Sequence, residues 1–125
     1  MKTAATIALF CAGGGLTRYY LSGWLYSLLG RAFPYGTLVV NIIGAYFIGL
    51  IMELGLRSSM LSDSLRVGLT VGFMGGLTTF STFSYETFKL LEDGQFVLAF
   101  VNVLASVAVC LLCTWLGIVT VRSLA

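Results

Sequence analysis

Charged residues are sparse along this chain, and the apolar intervals between them set its architecture. No charge interrupts the 15 residues between Lys2 and Arg18, the 21 between Arg31 and Glu53, the 19 between Arg66 and Glu86, or the 28 between Asp93 and Arg122. A helix needs about 20 residues to cross the hydrocarbon of a bilayer. The last three intervals reach that length or nearly so, and the first does by continuing through Arg18 towards Leu29. The pattern predicts four transmembrane helices at about 3–29, 36–56, 64–91 and 95–123, in one all-α membrane domain spanning 1–125. Pro34 and Gly36 punctuate the first turn, "RAFPYG". "RSSMLSDS" is a short polar connector in which Ser62 or Asp63 suits the N-cap of helix 3. "EDG" (92–94) turns the chain into helix 4.

Composition strengthens this reading. The chain is 58% hydrophobic and 10% charged, against about 45–50% and about 25% in soluble domains. Little mass is left outside the membrane, and nothing suits a nucleic-acid partner. Lys2 followed by "TAATIALFCAGGG" has the flavour of a secretory signal. Phe10 before Cys11 is a poor lipoprotein cleavage site, and the segment reads as helix 1. The three cysteines, Cys11, Cys110 and Cys113, lie in apolar segments, and there is no histidine. They read as small packing residues rather than metal ligands. No nucleophile–base pair can be assembled, so an enzyme is not expected.

Four crossings put Lys2, Arg57, Arg66 and Arg122 on one side and Arg18, Arg31 and Lys89 on the other. Orientation follows this bias in membrane proteins, and four against three is nearly balanced. Either the chain inserts both ways and pairs antiparallel, or a partner or one well-placed charge settles its orientation. Helix 3 carries Gly68, Gly72 and Gly76 at spacings of four, a close-approach face for another helix. Spacing alone leaves open whether that helix belongs to the same subunit.

The most unusual stretch is "GGLTTFSTFS", residues 75–84. Glycine costs about 1 kcal/mol in a helix relative to alanine, and threonine is also a poor former. If helix 3 opens here, its freed carbonyls need a cation, water or another helix, because lipid offers no donor. The alternative is a continuous helix whose threonines bond back to the preceding turn. Phe80 and Phe83 share a face and suit packing or lipid contact; their positive ring edges also suit an anion. Phenylalanines alone cannot replace an anion's hydration shell. Donors are available at Thr37 and Asn41 on helix 2, at Ser81, Thr82 and Ser84, and along helix 4. There Asn102, Ser106, Cys110 and Thr114 step by four and form a stripe. Arg18 is the only charge well inside helix 1. It either snorkels or forms a positive vestibule, and Glu86 lies one turn beyond Phe83.

These strings together resemble the dual-topology fluoride channel family, the small bacterial fluoride exporters. "GGGLTRYY" resembles its helix 1 motif, "YGTLVVNIIGAYFIG" its helix 2 signature, and "GFMGGLTTFSTFSYE" its helix 3 signature, the most specific of the three. The resemblance implies an antiparallel homodimer with two pores in the bacterial inner membrane, with helix 3 broken at mid-membrane. It implies a structural sodium ion on the two-fold axis, held here by the backbone carbonyls of Gly75 and Thr78. It makes Phe80, Phe83 and Asn41 pore residues, to which the donors Thr37, Ser81 and Thr82 read from the sequence are added. Asn102, Ser106 and Thr114 become a polar track and Arg18 part of the vestibule. Cys110 departs from relatives that carry a hydroxyl there. The implied function is passive, selective fluoride export that protects against fluoride toxicity. The rivals are a small multidrug-type proton-coupled antiporter, which needs a helix 1 carboxylate that is missing here, and a structural subunit of a larger complex.

Overall fold

A computed structural model describes residues 1–124. Its regular structure is helical throughout. α1 (Lys2–Leu29) and α2 (Tyr35–Arg57) are continuous, and α1 runs unbroken through Gly13–Gly15. The third crossing is composite. α3 (Asp63–Val67) leads into a π-helical turn, Gly68–Met74, then α4 (Gly75–Leu77), and after an interruption α5 (Phe80–Glu92). α6 (Phe96–Leu124) closes the chain. Ser62 caps α3, its hydroxyl accepting from the Leu65 amide at 3.2 Å. The open-helix alternative is the one observed at the glycine–threonine stretch. Thr78 (φ −89°, ψ 156°) and Thr79 (φ −152°, ψ 115°) are extended, so the rod is broken between Leu77 and Phe80.

Packing explains the glycines. A Cβ on Gly68, Gly72 or Gly76 would strike α1, at Thr6 and Phe10, at Phe10 and the Ile7 carbonyl, and at the Cys11 carbonyl respectively. The small-residue stripe is therefore a seam within one subunit. Its α1 counterpart is Gly14, where a Cβ would overlap the Phe73 carbonyl. The π turn was not foreseen from sequence. Its i→i+5 bonds, such as the Gly75 amide to the Thr70 carbonyl, widen the rod where it meets α1.

α2 and α6 form the other tight seam. Thr114 Oγ1 donates to the Ala45 carbonyl at 3.0 Å, and Tyr46 donates to Thr120 at 3.2 Å. Val40, Ile51, Met74 and Leu77 make a small interior core between α2 and the broken rod. Most other large apolar side chains face outward. α6 is long and apolar enough to cross a membrane, as is α2, yet only 11% of the most apolar stretch of α6 is buried within the chain. Phe100, Leu111 and Trp115 on it are exposed. A surface of this kind is stable against lipid or a partner rather than water, and the chain is a membrane protein.

Candidate functional site: a cavity at the helix break

The broken rod, α2 and α6 line an open cavity of about 410 Å³. Asn41 and Ala45 line it from α2, Thr78 and Thr79 from the break, and Phe80 and Phe83 from the first turn of α5. α6 contributes Ser106, Cys110 and Thr114 with Val107 and Leu111. Residues far apart in sequence meet here because the extended pair Thr78–Thr79 displaces α5 from the axis of α4. α2 comes close enough to the break that a Cβ on Gly44 would overlap the Thr78 methyl.

Asn41 holds the break open. Its Nδ2 donates to the Thr79 carbonyl at 3.1 Å, and its Oδ1 accepts the Thr79 amide at 2.8 Å. The amide of Thr79 would ordinarily close a helical turn on the carbonyl of Gly75. Diverted to Asn41, it leaves that carbonyl without its helical partner. Thr79 is only 7% exposed, so both of its backbone groups need partners, and one side chain satisfies both. Thr79 in turn caps α5. Its hydroxyl accepts the Thr82 amide at 3.1 Å, and a second contact joins it to Thr82 Oγ1 at 2.9 Å.

The walls mix ring edges with hydroxyls. Phe80 and Phe83 sit with centroids 5.4 Å apart and planes tilted by 52°. Phe80 is 79% exposed, so the cavity has an open side beside it. Ser106 Oγ is buried and has no hydrogen-bond partner among the described residues. Such a group costs about 1–3 kcal/mol. Thr114 donates to the Ala45 carbonyl, and Cys110 adds a thiol to the same wall.

Other residues singled out from sequence lie elsewhere. Ser81 and Thr82 are in the capping turn of α5, outside the cavity wall; the Ser81 hydroxyl is 3.4 Å from that of Thr79. Asn102 is 1% exposed and donates to Thr87 Oγ1 at 2.8 Å, tying α6 to α5 one turn above the cavity. Thr37 joins a separate cluster with Tyr26 and Glu86. The Thr37 hydroxyl donates to Glu86 Oε1, and the Tyr26 hydroxyl donates to Glu86 Oε2 at 2.6 Å. This triad binds α1, α2 and α5, and sequence reading missed Tyr26. Glu86 also borders a second cleft, of about 220 Å³, with Arg31, Lys89 and Asp93. The Arg31 guanidinium lies 4.9 Å from the centroid of the Tyr26 ring. Arg18 is half-buried, borders neither cavity, and forms no ion pair among the described residues.

Comparison with known proteins identifies the family of the chain. A family model described as "CrcB-like protein, Camphor Resistance (CrcB)" matches residues 5–118. A Trichlorobacter lovleyi protein named "Fluoride-specific ion channel FluC" is 93% identical over 125 residues, covering 100% of both chains. Proteins of the same name from Pelobacter propionicus and Geobacter metallireducens are 77% and 66% identical. Their alignments cover 99% of this chain and 96% and 100% of the relatives.

Proposed function

The chain belongs to the CrcB-like family, and from that premise we propose that it is a passive channel selective for fluoride. The observation that carries this reading is the unpartnered Ser106 hydroxyl in a cavity wall that also carries the rings of Phe80 and Phe83. A buried donor beside ring edges suits a small anion that has shed its water. Hydrogen bonds to a charged acceptor contribute about 1.5–3 kcal/mol each, and each aromatic edge contact about 0.5–1.5 kcal/mol. Fluoride, small and strongly basic, gains most from short bonds of this kind. Asn41 lines the same cavity with its amide, and Thr114 offers a hydroxyl that can rotate away from Ala45.

The channel works as a homodimer of antiparallel copies, each pore closed on its open side by the second copy. The exposure of Phe80 beside the cavity and the near-balance of basic residues support that assembly. Fluoride enters an acidified cell as neutral HF and dissociates in the cytoplasm. A negative interior then drives the anion out with roughly 2.3 kcal/mol per 100 mV, which protects the cell without ATP or proton coupling. A proton-coupled antiporter would lack the helix 1 carboxylate that it needs. Helix 1 carries none, Arg57 and Arg122 hold Glu53, and Tyr26 and Thr37 hold Glu86.

Liposomes containing the purified protein are expected to release fluoride rapidly, followed with an ion-selective electrode, and chloride negligibly. Comparable chloride flux would overturn the reading. Phe80→Ile and Phe83→Ile should each slow fluoride flux between about 2-fold and 12-fold, the rate equivalent of one lost edge contact. Unchanged flux in both would make the rings packing residues.

A structural sodium ion fits the break. The Gly75 carbonyl has lost its helical partner, and the extended backbone turns the Thr78 carbonyl out of the helical ladder. Two carbonyls are too few for one cation, so a second copy across a two-fold axis would complete the set. Protein stripped of sodium, with its sodium content verified by atomic absorption, is expected to lose fluoride flux and regain it when sodium is restored. Full flux from verified sodium-free protein would refute the site.

A further inference from the structure

At the end of the molecule away from the second cleft, two arginines from different helices converge on one carboxylate. Arg57, the last residue of α2, reaches Glu53 Oε1 through Nε at 2.6 Å, and Arg122, in the last turn of α6, reaches the same oxygen through Nε at 2.9 Å. The Glu53 side chain is 8% exposed, whereas those of Arg57 and Arg122 are 45% and 56% exposed. Among the described residues both guanidinium groups bond through Nε alone. Each therefore keeps its Nη donors uncommitted to those residues, on a partly exposed side chain whose planar fork matches phosphate oxygens. One carboxylate against two guanidinium groups leaves the clasp with a net charge of +1.

Its depth and surroundings say what it meets. α2 and α6 both end here, so the clasp lies at headgroup level, and interhelical basic pockets at that level bind anionic lipid headgroups. Lys2, Arg57, Arg66 and Arg122 outnumber Glu53 and Asp63 at this end, four against two. At the other end Arg18, Arg31 and Lys89 balance Glu86, Glu92 and Asp93, three against three. A zwitterionic lipid would bring a cation of its own into this positive field. We propose that the Arg57–Glu53–Arg122 clasp is a binding site for the phosphate of an anionic phospholipid. The proposal does not depend on which ion the cavity conducts.

The test is native mass spectrometry of the purified full-length protein, titrated with phosphatidylglycerol or phosphatidylcholine of the same acyl chains. The triple variant Glu53→Gln/Arg57→Gln/Arg122→Gln removes two positive charges and one negative, and leaves no unpaired buried charge. Arg66→Gln removes one positive charge at the same end, so both variants lower the net charge by one. Wild type is expected to retain phosphatidylglycerol at least about 5-fold over phosphatidylcholine, the triple variant to lose that preference, and Arg66→Gln to keep it. Equal losses in the two variants would reduce the effect to general surface charge and overturn the clasp, as would a preference unchanged in the triple variant. Arg57→Lys/Arg122→Lys keeps every charge, guards against a folding defect, and loses the forks; its preference should fall at least about 2-fold. Millimolar inorganic phosphate should leave bound phosphatidylglycerol in place. Full displacement by it would make the ligand a free phosphate and refute the lipid assignment.

Discussion

Replacing Gly117 with valine is expected to leave little folded protein and no measurable ion flux. α2 and α6 touch backbone to backbone. A Cβ at Gly117 would overlap the Tyr46 carbonyl and come within 2.8 Å of the Leu50 amide, and one at Gly49 would overlap the Thr114 carbonyl. Neither neighbour is a side chain that can swing away. The helices would have to separate, and the Thr114–Ala45 hydrogen bond, only 3.0 Å long, would go first. Overpacking a tight site costs about 1–3 kcal/mol where neighbours can adjust, and rigid backbone on both sides places this change at or beyond the upper end. Separation would also pull Ser106 and Thr114 away from Phe80 and Phe83, so the cavity would open even in molecules that fold. Gly23→Ala is the control. A Cβ there meets nothing within 4 Å, and alanine favours a helix by about 1 kcal/mol over glycine, so the control should fold as well as wild type. Size-exclusion chromatography and fluoride efflux measure both variants, and a monodisperse, fully conducting Gly117→Val protein would refute the backbone seam.

How far this arrangement could be read from sequence depends on the range of each interaction. The four crossings follow from charge-free intervals, a property of contiguous residues. The weak point at Gly75–Thr79 is equally local, since glycine and threonine disfavour helix wherever they sit. What closes or opens the break is not local. The choice between a healed and an open helix rests on Asn41, 38 residues away, and no periodicity announces that contact. The Tyr26–Glu86 bond spans 60 residues and was missed for the same reason. The α6 stripe was partly legible. Ser106, Cys110 and Thr114 fan over only about 80° and about 12 Å of helix and reach the cavity, while Asn102, a further turn along the helix, meets Thr87 instead. The glycine stripe was legible as a close-approach face, but its partner, α1 of the same subunit, was not. Gly49 and Gly117 carry no repeating pattern, so the backbone contact between α2 and α6 was silent in the sequence.

Asn41→Leu is expected to abolish fluoride flux by letting the broken rod heal. Leucine matches the volume of asparagine closely enough to avoid a large void but offers neither donor nor acceptor. Both backbone groups of Thr79 would then be buried without partners, at about 1–3 kcal/mol each, and lipid cannot replace them. The nearest remedy is helical. Thr79 can rotate from its extended conformation into the α region, and its amide can close on the Gly75 carbonyl. That one rearrangement has three consequences. It removes the cap that starts α5, withdraws Phe80 and Phe83 from the cavity, and occupies the carbonyl proposed as a sodium ligand. Flux is therefore expected to fall at least about 30-fold, the equivalent of about 2 kcal/mol, and what remains should no longer respond to sodium. Hydrogen exchange separates this from simple loss of a pore donor. A healed helix slows exchange across residues 78–80, whereas a lost donor leaves the open backbone as it was. Near-normal flux, or flux lost with exchange at 78–80 unchanged or faster, would show that the two Asn41–Thr79 bonds are not what keeps the rod open.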